Sequence, residues 1–154
     1  MNRNVLSTVY QWIVELHSFD QDLPLAQDLK KANMQSVVLE LRFSPGFPTA
    51  PPFVRVIRPQ FLEFGAGGGG PVTTGGAFCL KLLTNSGWAP SVSIESVLGQ
   101  VRTALSCLDP RPARVARASR QRDYSFQEAV DFFRRECRAH GWFPHKDIDC
   151  ILSE

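Results

Sequence analysis

The hydrophobic period of this chain switches once, from two to about 3.6, and that switch limits the fold more than any other feature. Residues 9–19 alternate, with Tyr10, Trp12, Val14 and Leu16 on one side and Gln11, Ile13, Glu15 and His17 on the other. Residues 37–43 repeat the pattern, setting Val37, Leu39, Leu41 and Phe43 against Glu40 and Arg42. A third β-rich run follows from Phe53 to Arg58. Period two is that of a half-buried strand. Past residue 93, Ile94, Val97, Leu98, Val101, Leu105 and Leu108 recur at helical spacing and predict a helix over 94–108, with Ser91 or Ser93 as its cap. A second helix opens at Ser125-Phe126-Gln127-Glu128, a capping box. Its inner face carries Phe126, Ala129, Val130, Phe133 and Cys137, and Gly141 stops it. Strands first and helices afterwards define an α+β domain with a small antiparallel sheet.

The 154 residues, 44% apolar and 21% charged, suffice for a single core, so 1–154 reads as one domain. Its connectors are an insertion at 20–36, a glycine-rich loop at 64–76 and a crossover at 109–124. Pro24 opens a short helix in the first, ending near Lys31. Phe47-Pro48-Thr49-Ala50-Pro51-Pro52 is a stiff extended approach to the third strand. The glycine loop reads as a mobile, solvent-exposed insertion with little core to offer. It is no phosphate cradle, because it lacks a G-K-[ST] ending and no long helix follows directly.

A net charge of +2 gives no reason to expect nucleic acid. Without a long apolar run or a signal pattern, the expectation is an intracellular protein, cytoplasmic or nuclear, with no membrane partner. The arginines at 111, 114, 117, 120 and 122 read as a solvated face on the crossover, with a patch for an acidic partner as the alternative.

Four cysteines, at 79, 107, 137 and 150, form no C-x-x-C pair, and histidines stand only at 17, 140 and 145. No metal site is expected from that spacing, and disulfides are not needed. Cys137 reads as a small core residue. Cys79 is different. It follows Gly75-Gly76-Ala77-Phe78, precedes Leu80-Lys81-Leu82-Leu83, and lies in no evident regular element. A thiol held on a stiff platform suits nucleophilic transfer. The histidines are all distant from it in sequence and read as surface or packing residues.

Four motifs surround Cys79 in order: Phe47 to Pro52, then Cys79 to Leu83, then Gly87-Trp88-Ala89-Pro90 with Ser93-Ile94-Glu95-Ser96-Val97-Leu98, then Asp109-Pro110-Arg111-Pro112. Together they resemble the ubiquitin-conjugating (E2) signature. Pro51 to Val56, the Gly-Gly before the cysteine, and His140-Gly141-Trp142 are similar to its Q-type branch. The resemblance implies the ubiquitin-conjugating α+β fold, lacking here its usual opening helix, through truncation or with impaired charging. It implies a catalytic Cys79 that takes ubiquitin as a thioester from an activating (E1) enzyme and passes it to a substrate lysine or a ligase (E3). No cofactor is implied, since ATP is used by the E1. Pro48, Thr49, Ala89 and Pro90 fall on the ligase-docking loops, although many members carry an apolar residue where Thr49 stands.

One departure concerns the chemistry. Most members place the asparagine of His-Pro-Asn eight residues before the cysteine; here Gly69-Gly70-Pro71 occupies that offset, and Pro71 has no donor. Thr73, Thr74, Gly75 and Gly76 are the candidates to support the oxyanion in its place. Arg114 stands where some members carry an acid near the thioester. The rival reading is an inactive variant of the same fold that scaffolds conjugation; Cys79 favours the carrier, while Pro71 and the missing helix favour the scaffold.

Overall fold

The computed structural model describes residues 10–117, 122–144 and 148–152. The question of an opening helix falls on residues 1–9, outside the described residues. Strands β1 (Gln11–His17), β2 (Ser36–Arg42) and β3 (Phe53–Arg58) form an antiparallel meander in chain order. Leu16 lies opposite Val37, Val14 opposite Leu39 and Trp12 opposite Leu41, so the apolar sets of β1 and β2 share one face.

That face packs on α1 (Pro24–Lys31) and α2 (Ile94–Ser106). Pro24 in the first turn of α1 has the φ a helix start needs. Ser93 Oγ accepts the Ser96 N–H at 3.1 Å to cap α2. Leu25, Leu29, Val97, Val101 and Leu105 enter one cluster with Leu39, Leu41, Val54 and Val56. Burying each large side chain contributes about 1.5–3 kcal/mol. The helix predicted to 108 ends at Ser106, and Leu108 is exposed. Pro110 keeps Asp109 out of helical backbone, so the last turn does not form.

The alternation of β2 suggested one polar face, yet Val38, Glu40 and Arg55 are all buried. α3 (Phe126–His140) and α4 (Asp149–Leu152) supply a second cluster on that side, where Phe53 meets Ala129, Val130, Phe133 and Ile151. Glu40 and Arg55 are cross-strand partners beneath this cover. Arg55 Nε donates to Glu40 Oε1 at 2.7 Å and its Nη1 to the Tyr124 carbonyl at 3.1 Å, while Gln11 Nε2 also donates to Glu40. Burial alone would raise the Glu40 carboxyl, but Arg55, with Gln11 and Arg42, holds it below its ordinary value.

The arginine-rich crossover is only partly the solvated face expected of it, because its side chains take separate partners. Arg111 lies 3.6 Å over the Phe64 ring and donates to the Phe64 carbonyl. Arg114 forks onto Asp28 of α1 at 2.7 and 2.9 Å, and Asp28 also accepts the Val115 N–H. Arg122 forks onto Glu128. Each takes a different partner; Arg117 and Arg122 are exposed, and Arg120 lies outside the described residues. The glycine-rich loop is exposed as expected over residues 64–67 and at Gly70 and Thr74, whereas Gly68, Gly75 and Gly76 are buried.

Candidate active site

Cys79 ends a short hairpin laid on the free edge of β3. The Val56 N–H donates to the Gly76 carbonyl at 2.8 Å and the Phe78 N–H to the Val54 carbonyl at 3.1 Å. On the other side the Thr73 N–H donates to Ala77 and the Cys79 N–H to Pro71, at 2.9 and 2.8 Å. Backbone groups of residues 76–79 thus point alternately to β3 and to the outer arm, as in a ladder. Side chains alternate as well. Phe78 joins the core beneath α1 and α2, whereas Ala77 joins the second cluster beside α3. Cys79, two residues beyond Ala77, therefore faces α3. The absence of a regular element at Cys79 is as the sequence suggested, but its backbone is tied on both sides.

The close approach of α3, and of Tyr124 just before it, to this hairpin explains two glycines. A Cβ on Gly75 would lie 2.3 Å from the Glu128 carbonyl oxygen and 2.6 Å from Phe132 Cδ2. Gly76 has φ +95°, and a Cβ there would lie 2.7 Å from the Tyr124 ring. α3 is itself set firmly. Ser125 Oγ accepts the Glu128 N–H, Glu128 accepts the Ser125 N–H, and Gly141 closes the helix at φ 67°. Ala129, Val130, Phe133 and Cys137 are its buried stripe, as the spacing predicted.

The end of α3 brings to Cys79 Glu136, which was not singled out from sequence, and His140, which sequence distance had set aside. Ligand atoms of Cys79, Glu136 and His140 all lie within 4.8 Å of one another. His140 Nε2 is 3.4 Å from Glu136 Oε2, an i,i+4 pair, and the imidazole stacks on Trp142 with ring centres 4.6 Å apart. His140 is exposed and packs on Trp142, as expected of a surface or packing residue, but folding also brings it and Glu136 close to the thiol. The available signal was the i,i+4 spacing of Glu136 and His140 beside the inward Cys137. What that helix end would meet depended on packing.

Cys79 is half-buried. Burial first, then the Glu136 carboxylate and neighbouring Cys137, push its thiol up to about 11. At neutral pH it is almost wholly protonated, on the order of one thiolate in 10⁴. Attack from this site requires that proton to leave the sulfur, and a ring nitrogen of His140 lies within 4.8 Å of it.

The oxyanion candidates are placed less favourably. The Gly76 N–H already donates to the Thr73 carbonyl at 2.9 Å. Thr74 is exposed at the turn, and Gly75 is buried against α3. Thr73 shares the hairpin face of Cys79 but sits opposite Ala77, roughly 7 Å along the ladder from Cys79. Its hydroxyl is buried with no hydrogen-bond partner among the described residues. Arg114 is engaged with α1, as described.

The two loops expected to dock ligases lie side by side. Pro48, Thr49, Ala89 and Pro90 are all exposed, and Trp88 Nε1 donates to the Pro48 carbonyl at 2.8 Å, tying one loop to the other. Beneath them Phe43, Phe47 and Trp88 form an aromatic run, with ring centres 4.9 and 6.3 Å apart.

No family model matches the chain. The ubiquitin-conjugating enzyme E2 Q-like protein 1 of Mus musculus is 36% identical over 141 residues, covering 90% of this chain and 83% of that protein. A Drosophila melanogaster protein, also named as a Q-like ubiquitin-conjugating enzyme, is 33% identical over 141 residues, 90% of this chain, and the chain spans 44% of its length. A crystal structure of the ubiquitin-conjugating enzyme E2 UbcA1 from Agrocybe aegerita aligns over 70% of this chain and 67% of that one, at 19% identity and a TM-score of 0.48. The Mus musculus relative, 36% identical and covered over 83% of its length, places the chain in the ubiquitin-conjugating enzyme (E2) family. Its similarity within that family is to the Q-like proteins.

Proposed function

We propose that this chain carries ubiquitin as a thioester on Cys79, accepting it from an E1 and passing it to a substrate lysine or a ligase cysteine. The reading rests on one observation above the rest: in a member of this family, Cys79 sits on a hairpin pinned to the sheet edge, with a His140 ring nitrogen within 4.8 Å of its sulfur.

In the first step the Cys79 S–H gives its proton to His140, and the sulfur attacks the thioester carbonyl of ubiquitin on the E1. The tetrahedral oxyanion collapses, a new C–S bond to Cys79 remains, and the E1 cysteine leaves as thiolate and takes up a proton. In the second step an amine or thiol attacks the Cys79 thioester and Cys79 is the leaving group. The Thr73 hydroxyl is the one remaining donor on the hairpin face that could turn toward the oxyanion. The chain needs no cofactor of its own, because ATP is spent by the E1, and ligases dock on the Pro48–Thr49 and Ala89–Pro90 surface.

The test is incubation with E1, ATP and ubiquitin, followed by a non-reducing gel. A reductant-sensitive adduct absent in Cys79→Ala supports the carrier reading. If no adduct forms, the inactive scaffold is the correct reading.

A further inference from the structure

We propose that Cys79, Glu136 and His140 form a zinc-binding site that reversibly masks the thiol. One thiol, one carboxylate and one imidazole converge there, with their ligand atoms within 4.8 Å of one another. Three protein ligands of these types, with water in the fourth position, make up an open tetrahedral zinc site. Zinc bond lengths of about 2.0–2.3 Å imply ligand atoms roughly 3.3–3.7 Å apart. His140 Nε2 and Glu136 Oε2 already stand at 3.4 Å, so one pair has zinc spacing before any movement. The thiol must close by about 1.5 Å at most.

The supports of the three ligands are independent of the metal. Glu136 and His140 are one turn apart on α3, which Gly141 ends just beyond. The Trp142 ring holds the imidazole plane by stacking at 4.6 Å, as ligating histidines are generally held by a neighbouring group. Cys79 is held through its backbone N–H on Pro71. On binding, a Zn–S bond forms, the S–H bond breaks and its proton goes to solvent, while Glu136 and neutral His140 bind through lone pairs. While zinc holds the sulfur lone pair, Cys79 cannot accept an acyl group. That consequence rests on the carrier reading, but the binding itself does not.

The experiment uses the reduced full chain with Zn²⁺ and Co²⁺ alone, without E1, ATP or ubiquitin, so failure of the carrier reading leaves it interpretable. Zinc affinity is read by competition with a chromophoric chelator, and Co²⁺ reports tetrahedral thiolate ligation through its visible and near-ultraviolet bands. The expected result is one equivalent bound, and iodoacetamide labelling of Cys79 that slows with Zn²⁺ and recovers with EDTA. Affinity should fall at least about tenfold in Cys79→Ser and in His140→Gln, and be unchanged in Cys107→Ser, whose thiol is exposed elsewhere. Circular dichroism checks that each variant folds. No thiolate–cobalt band, or zinc affinity retained in Cys79→Ser, would overturn the proposal. Affinity lost only in Cys107→Ser would do the same.

Discussion

The Cys79 thiol and the His140 imidazole meet within 4.8 Å although 60 residues of chain lie between them. The meeting follows from two local facts. Alternation along residues 77–79 turns Cys79 toward α3, and the pair Glu136 and His140 projects from the last turns of that helix. The arrangement sets a protonated thiol beside a basic nitrogen.

With its pKa pushed up to about 11, the Cys79 thiol in the folded protein should react with iodoacetamide at a rate still rising well past pH 9. In denaturant the same cysteine should level off above its ordinary value of about 8.5. His140→Gln should slow the folded-state reaction near pH 7 by roughly tenfold or more, with the deficit shrinking as pH rises and the thiol ionises unaided. A deficit equal at every pH would show that His140 acts only on structure.

The buried Glu40–Arg55 pair predicts an asymmetric outcome. Glu40→Ala leaves the Arg55 guanidinium buried without its carboxylate and should cost about 3–5 kcal/mol. Glu40→Leu combined with Arg55→Met should cost clearly less than either single change. Urea unfolding of the four proteins measures the difference; equal losses in single and double variants would contradict the pairing argument.

Gly75→Ala should destabilise by about 1–3 kcal/mol, because the added Cβ meets the Glu128 carbonyl at 2.3 Å. The strain lies between the hairpin and α3, so ubiquitin loading of Cys79 should drop more than that of a Gly99→Ala control, where a Cβ meets open space. Thermal unfolding and a charging time course give the two readouts.

Acid stability should depend on Glu128. The Arg122 fork first, then the Ser125 N–H and hydroxyl, outweigh burial and hold its carboxyl down to about 2. A depressed carboxyl pKa adds stability above the unfolded value near 4.5, and that contribution is lost as pH falls toward 2. Glu128→Gln should therefore be less stable than the parent at pH 6 and nearly match it at pH 2. The gap should be small, since the pair is largely solvent-exposed. Parallel curves across that range would remove Glu128 as the cause.

Trp88→Phe deletes the donor to the Pro48 carbonyl, worth about 0.5–1.5 kcal/mol, and frees the two docking loops from each other. Amide hydrogen exchange should quicken at Thr49 and Ala89 while β2 stays protected.

Much of the fold was legible in the residues themselves. Period-two runs, the Ser125–Glu128 capping box, the Ser93 cap and the Gly141 stop are local signals, because hydrogen bonds one turn apart and alternate strand faces depend on neighbours in sequence. Cys79, as the nucleophile to test, also followed from sequence, through the motifs that surround it. Tertiary structure alone decided what each face met. It buried Glu40 and Arg55 under α3, pressed the glycine-rich hairpin against Glu128 and Tyr124, dispersed the crossover arginines onto separate partners, and delivered Glu136 and His140 to the thiol. Residue types and spacing specify what a segment can present. Which distant segment receives it is settled by long-range packing, where the gain of burying Phe53, Phe78 and Phe133 outweighs any local preference.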